Sequence, residues 1–375
     1  MEQKYNKGYK YRLLPKREQR IMLGKTFGCV RFMWNKMLAH TQDYYKEHGK
    51  TDYLTPASFK EEFTWLREVD SLSLANTQVN LKKAFTGFFE KRTEYPRFKS
   101  KKATKQSYTT NNQEASNAIR IEGNYIRLPK LGWVKFVQHR KLNKGEKIKN
   151  CTITKTPAGN YTISIIVEGL RDIQPVKVSK EKVIGLDYSM KDLYVSSNGE
   201  TANHQHCHRK AEKKLAELGK EVSRKVQGSK NRDKARVKLA REYEHTANLR
   251  TDCLHKMSFR LANEYDAIII EDLNMQGMSQ ALRFGKSVMD NAWGKFTHML
   301  AYKLEERGKQ LIKIDKWHPS SKLCSACGIR KENLSLSDRI YSCEHCGNTQ
   351  DRDLNAAINI KTAENSVSLR TPWRG

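Results

Sequence analysis

Four cysteines near the C-terminal end carry the clearest chemistry in the chain. Cys324 and Cys327 form one Cys-x-x-Cys pair, Cys343 and Cys346 form a second, and fifteen residues separate the pairs. Each pair sets two thiolates on one edge of a tetrahedron, and Gly328 and Gly347 suit the tight turns that follow. Four thiolates close the coordination shell, so a structural Zn²⁺ is expected, with rubredoxin-like iron as the alternative. The second pair runs into Asp351-Arg352-Asp353-Leu354-Asn355-Ala356-Ala357. A helix starting here would use Asp351 as its N-cap and project Asp353 from its first turn.

Two upstream acids stand in comparable places. Val183-Ile184-Gly185-Leu186-Asp187 and Ala267-Ile268-Ile269-Ile270-Glu271 each read as a short buried strand ending in a carboxylate. Asp187, Glu271 and Asp353 come from separate segments and can converge to hold two Mg²⁺ ions about 4 Å apart. One ion would activate water and the other would stabilise the leaving oxygen of a phosphodiester. Two parallel strands at a sheet centre and a later helix bearing the third acid fit an RNase H-like fold. His204, His206, Cys207 and His208 form a weaker metal candidate, because no fixed partner accompanies them. Cys29, Cys151, Cys207 and Cys253 read as ordinary buried or neutral positions.

The elements that must position these residues follow from periodicity. Tyr9, Tyr11 and Leu13 alternate with Lys10 and Arg12, predicting a strand that Pro15 ends. Leu23, Phe27, Val30, Met33, Trp34, Met37 and Leu38 recur at helical spacing. Thr55-Pro56 predicts a second helix burying Phe59, Phe63 and Leu66. A third, over about 74–91, would pack Val79, Leu81, Phe85, Phe88 and Phe89. Residues 119–137 predict a hairpin and a third strand, and 152–167 another hairpin. Together with the unpartnered first strand they suggest a small barrel or curled sheet, with the helices inserted. After a linker at 173–180 come the Asp187 strand, a meander, and a basic helical region over 209–261 broken near Gly228-Ser229. The Glu271 strand, a helix over 290–307, a strand over 310–315 and the cysteines complete the order.

Composition bounds the partner. The chain has 375 residues, a formal charge of +29, 30% charged residues and 38% apolar residues. Self-repulsion of this size points to a polyanion, and nucleic acid is the expected one. The N-terminal stretch lacks the apolar core of a secretory signal, and no apolar run approaches the ~18 residues of a membrane span. A cytoplasmic protein without membrane partners is therefore expected, in which eight cysteines are not a disulfide framework. Basic residues interleave with rings in Tyr95-Pro96-Arg97-Phe98-Lys99-Ser100-Lys101-Lys102, as suits phosphate contact and base stacking.

These residues together resemble the TnpB family, transposon-encoded RNA-guided DNA endonucleases related to type V CRISPR effectors. The resemblance spans nearly the whole chain. It rests on Tyr11-Arg12-Leu13 with Glu18-Gln19, Tyr95-Pro96-Arg97-Phe98-Lys99, Ile184-Gly185-Leu186-Asp187 and Glu271-Asp272-Leu273-Asn274. Pro319-Ser320-Ser321-Lys322 with both cysteine pairs, and Asp353-Leu354-Asn355-Ala356-Ala357, complete it.

The resemblance implies an α+β multidomain protein. A wedge β-barrel would comprise 1–14 and 105–175, with a helical recognition lobe inserted at 15–104. A RuvC nuclease domain would comprise 181–317 and 349–363, with a zinc ribbon inserted at 318–348 and a disordered tail at 364–375. It implies Asp187, Glu271 and Asp353 as the catalytic, Mg²⁺-binding acids. A guide RNA from the transposon end and double-stranded target DNA would be the partners, and a short motif beside the target would be read by the N-terminal lobe. Tyr95, Arg97, Phe98, Lys99, Lys101 and Lys102 would contact guide or target. Two other classes compete: a nuclease-independent RNA- or DNA-binding regulator, and a strand-transfer transposase. Transposases of this fold usually end their acidic set in glutamate, whereas the order here is Asp, Glu, Asp.

Overall fold

The computed structural model describes residues 2–101, 106–113, 117–202, 206–275, 277–278, 290–315, 317–335 and 338–363. The expected tail at 364–375 lies outside them. The chain divides into two compact units, Met1–Asp172 and Ile173–Gly375. No helix among the described residues is long and apolar enough to cross a membrane.

The first unit is a seven-stranded antiparallel sheet with helices. Its strands are β1 (Gln3–Leu14), β2 (Gln106–Asn111), β3 (Arg120–Glu122), β4 (Tyr125–Leu128), β5 (Gly132–Val137), β6 (Lys147–Lys155) and β7 (Tyr161–Arg171), in the order β2-β6-β7-β1-β5-β4-β3. The isolated first strand thus lies mid-sheet, paired with β7 along most of its length and with β5 at its end. Tyr9, Tyr11 and Leu13 alternate inward as the period-two pattern requires. Glu146 fastens this region, accepting hydrogen bonds from the Tyr5 hydroxyl at 2.6 Å and the Asn143 backbone N–H at 2.7 Å.

Helix α1 (Arg17–His48) buries all seven residues of its predicted stripe. Its start is fixed by Gln19, whose Oε1 accepts from the Lys16 N–H at 2.9 Å while its amide donates to the Trp133 carbonyl at 2.9 Å. The expected helix after Thr55-Pro56 is instead two short 3₁₀ turns, Ser58–Lys60 and Thr64–Glu68. Ring packing overrides helical spacing here. Phe63 and Trp65 both close edge-on around Phe32, with centroids at 4.8 and 4.9 Å, and the backbone at Phe63 leaves the helical region. Helix α2 runs from Ser71 to Phe89, opened by the Asp70 carboxylate. It buries Leu74, Leu81 and Phe85, but Val79 and Phe89, expected in the core, are exposed.

The second unit is a four-stranded mixed sheet between helical layers. Its strands are β8 (Val183–Ser189), β9 (Leu193–Ser196), β10 (Ala267–Glu271) and β11 (Gln310–Ile314), in the order β11-β10-β8-β9. Here β8, β10 and β11 are parallel and β9 returns antiparallel to β8. The pleat sorts side chains between two cores. Ile184, Leu186, Ile268 and Ile270 pack with α4 (Lys230–Glu264) and α5 (Trp293–Glu305). Val183, Ala267 and Ile269 pack with Ile360 of α6 (Arg352–Thr362). Between β9 and β10, α3 (Cys207–Ser223) and α4 form the basic hairpin, held by pairs such as Lys214–Glu242 at 2.6 Å. The strands β12 (Ile340–Ser342) and β13 (Thr349–Asp351) pair antiparallel, β12 within the cysteine-rich insertion and β13 leading from it into α6.

Gly185 decides how closely α6 can lie on this sheet. A Cβ there would come within 2.3 Å of the Ala357 carbonyl oxygen and 2.6 Å of the Lys361 nitrogen, both backbone atoms. Gly185→Ala must therefore push the helix off the strand. It is expected to lower stability by roughly 1–3 kcal/mol, measured by chemical denaturation, and to reduce any activity that needs Asp353.

Candidate active site

Strand register places the first two acids. The parallel pairing sets Ile269 beside Gly185 and Ile270 beside Leu186, so Glu271 follows level with Asp187. The period of two directs 183, 185 and 187 to one face, together with 267, 269 and 271. That face is the one α6 covers.

Helix geometry brings the third acid to the same end. Asp351 caps α6, its Oδ1 accepting from the Asp353 N–H at 2.9 Å and the Leu354 N–H at 3.0 Å. Asp353 lies one turn before Ala357, about 6 Å along the axis, and Asp187 lies two residues beyond Gly185, about 6.6 Å along the strand. Since α6 packs on Gly185 through Ala357, the helix bearing Asp353 covers the face of the sheet that bears Asp187 and Glu271. The electrostatics agree: burial first, then the charges of Glu271 and Asp353, raises the Asp187 pKa well above the usual range, with Arg352 opposing. Burial also raises the Glu271 pKa, opposed by the Ser320 hydrogen bond and His318. The Arg352 guanidinium lies 3.6 Å from the Asp353 carboxylate.

The cysteines form a second centre in the same unit. Among the described residues, these four are the set of metal-ligating groups whose donor atoms all lie within 4.8 Å of one another. Both turns repeat one hydrogen-bond pattern. Gly328 N–H donates to the Cys324 carbonyl at 2.8 Å and Gly347 N–H to that of Cys343 at 3.0 Å, while Cys324 and Cys343 donate to Ile329 and Asn348. The two glycines adopt φ of 75° and 73°, the left-handed region that a Cβ disfavours. Backbone N–H groups of Cys346 and His345 lower the Cys343 pKa. The closed four-sulfur set is consistent with structural zinc.

Other expected residues fall elsewhere. His206 precedes α3 with its Nδ1 3.9 Å from the buried Asp290 carboxylate, which accepts the His208 N–H at 3.0 Å. That arrangement is a helix cap, and His204 lies outside the described residues. The buried cysteines Cys29, Cys151 and Cys207 and the half-buried Cys253 are free thiols.

The basic stretch is a strap tied to α1. Trp34 Nε1 donates to the Arg97 carbonyl at 3.0 Å, and Asn35 exchanges hydrogen bonds with the Lys99 backbone at 3.0 and 2.8 Å. Tyr95 sets its ring edge-on to Phe88 and Phe85, at 5.1 and 5.7 Å, whereas Phe98 and Arg97 are exposed. The Lys99 ammonium sits 3.6 Å from the Trp34 ring centroid, Lys101 is exposed, and Lys102 lies outside the described residues.

Three residues beside the acids carry no signal in spacing alone. Ser320 donates to Glu271 Oε1 at 2.5 Å, and Asn355 and Asn359 of α6 donate to the loop carrying Ser320. The one hint is that Ser320 and Asn355 fall within the segments that carry the family resemblance.

Comparison with known proteins agrees with this architecture. Residues 293–360 match the Cas12f1-like TNB domain family, 164–282 the OrfB_IS605 family described as "Probable transposase", and 1–50 a helix-turn-helix family of OrfB_IS605 proteins. The last span is β1 and α1 in the structure. A Streptomyces pristinaespiralis protein named "Putative RNA-guided DNA endonuclease" is 35% identical, covering 97% of this chain and 90% of its own. InsQ of Escherichia coli K12, with the same designation, is 28% identical, covering 96% and 92%. The fold is similar to that of Cas12f1 in its complex with sgRNA and target DNA, with TM-score 0.61, 12% identity, and coverage of 96% of this chain and 99% of that one. The chain therefore belongs to the TnpB, or OrfB_IS605, family of RNA-guided DNA endonucleases, related to Cas12f.

Two outcomes follow from the site. Cys343→Ser should take the purified protein from about one zinc per chain toward none, measured by elemental analysis. For the acids, a raised folded-state pKa means stability present below about pH 4 is lost as pH rises through the raised values. Without added divalent cation, Asp187→Asn should therefore stabilise the protein at pH 7, by roughly 1–3 kcal/mol, and not at pH 4, as read from denaturant melts.

Proposed function

We propose that this chain is an RNA-guided, Mg²⁺-dependent endonuclease that hydrolyses DNA phosphodiesters at a RuvC-type site built from Asp187, Glu271 and Asp353. The observation that carries the reading is the packing of α6 on Gly185, which brings the helix bearing Asp353 onto the sheet face where Asp187 and Glu271 stand on neighbouring strands. Crowded carboxylates with raised pKa values are a poor arrangement alone and a good one around divalent cations. The three acids would hold two Mg²⁺ ions, which when bound supply an activated water and charge stabilisation at the leaving oxygen.

The chain's own residues do the rest. Asp187 and Glu271 stand on neighbouring strands, so the sheet's hydrogen bonds fix their spacing. Asp351 holds the start of α6, and Arg352 beside Asp353 limits the local excess of negative charge. The +29 charge draws the polyanionic partners.

The relatives' designations and the sgRNA–target DNA complex of Cas12f1 support a guide RNA from the transposon end and double-stranded target DNA as those partners. A short flanking motif would license the target. In this reading the first unit comprises a wedge (1–14, 105–175) and an inserted recognition lobe (15–104). The second comprises the RuvC domain (181–317, 349–363) around the ribbon (318–348). The exposed Arg97, Phe98 and Lys101 of the strap are the groups best placed to contact nucleic acid, with Lys102 following.

The test is direct. In the reconstituted RNA–protein complex, Asp187→Ala should abolish cleavage of a guided target, by about a thousandfold or more, while RNA affinity in a filter-binding assay stays unchanged. Normal cutting by that variant would refute the site.

A further inference from the structure

Glu271 does not stand alone on its strand end. Its Oε1 accepts the Ser320 hydroxyl at 2.5 Å, and Ser320 is 5% exposed. The Ser320 backbone is itself held, its N–H donating to the His318 carbonyl at 2.8 Å and its carbonyl accepting Asn359 Nδ2 at 2.7 Å. Asn359 Nδ2 also reaches the Leu323 carbonyl at 2.7 Å, as does Asn355 Nδ2 from one turn earlier. Asn355 Oδ1 in turn accepts from the Ser325 N–H at 2.9 Å and from Gln350 Nε2 at 2.8 Å.

Asparagine is a poor helix former, so two buried ones at i and i+4 need a reason. Their amides meet the backbone of 320–325, where an unpaired buried carbonyl or amide would cost about 1–3 kcal/mol each. The seam therefore fixes the loop to α6, the helix that carries Asp353. Through Ser320 it also fixes Glu271 to that same helix. Two acids on different elements thereby share one reference frame that neither strand pairing nor the helix cap provides.

We propose that Ser320 is a positioning residue for the nuclease reaction, orienting Glu271 so that its other oxygen serves as the cation ligand, and that Asn359 holds Ser320 in place. This rests on the nuclease reading above. Partners of metal-ligating carboxylates typically change metal affinity or activity by about 10–100-fold when removed.

The experiment uses the full chain with its guide RNA. Ser320→Ala should lower the single-turnover cleavage rate by about 10–100-fold and weaken Mn²⁺ binding, followed by electron paramagnetic resonance, by a similar factor. Its melting temperature and RNA affinity should match the parent, and Ser320→Thr, which keeps the hydroxyl, should restore both rate and Mn²⁺ affinity. A Ser320→Ala protein with parental rate and Mn²⁺ affinity overturns the proposal. So does equal loss in the Ala and Thr variants accompanied by a lower melting temperature, which would mark a packing role. Asp187→Ala run alongside separates the two claims: if it too cuts normally the nuclease reading fails, and if it alone is inactive only the Ser320 role fails.

Discussion

The second unit depends on one close contact, the α6 backbone lying against Gly185. Burial of small residues makes it possible: Ala356 and Ala357 present a low surface while Ile360 fills the core beside them, and the strand answers with no side chain at all at 185. The contact sets two things together, the depth of the helix and its phase along the strand. Depth lets the helix bearing Asp353 lie directly on the face that carries Asp187. Phase fixes where along the strand that helix begins. Holding carboxylates on this covered face is unfavourable: burial raises the pKa of Asp187 and Glu271, and for Asp187 the charges of the other two acids add to it; the apolar seat and the asparagine seam offset that cost.

The cysteine-rich insertion is tied to this contact at both of its ends. On the entering side, residues 320–325 are clipped to Asn355 and Asn359 just as the first Cys-x-x-Cys turn begins. On the leaving side, β13 follows the second turn and ends in Asp351, the cap of α6. The four sulfurs therefore close a loop whose two ends both bear on the helix with the third acid. A closed, four-thiolate centre can contribute to chemistry it does not touch, by limiting where that helix begins.

Much of this was legible in sequence because it rests on short-range periodicity. The α1 stripe from Leu23 to Leu38, the alternation of Tyr9, Tyr11 and Leu13, and Glu271 at the end of an apolar strand all follow from spacing, whereas β8 runs past the expected end at Asp187 to Ser189, because residues 187–189 pair with β9. The Asp351 cap follows from residue type. Where tertiary contacts decide, spacing fails. Phe59, Phe63 and Leu66 recur as in a helix, yet the Phe32–Phe63–Trp65 ring cluster holds that segment in 3₁₀ turns. Val79 and Phe89 look like core and are exposed. Tyr95 sets its ring edge-on to Phe85 and Phe88, contacts that its spacing does not announce. Nothing local in the sequence reveals the carbonyls that the buried Asn355 and Asn359 meet.

The position of α6 in the chain also bears on synthesis. Asp187 and Glu271 are made well before the helix that covers their side of the sheet. Until α6 arrives, Val183, Ala267 and Ile269 lack the Ile360 side of their core. A nascent chain thus passes through a stage in which that apolar face is open and Asp353 has not yet joined Asp187 and Glu271. The step that covers this apolar surface is thus also the step that brings the third acid of the proposed site to the sheet.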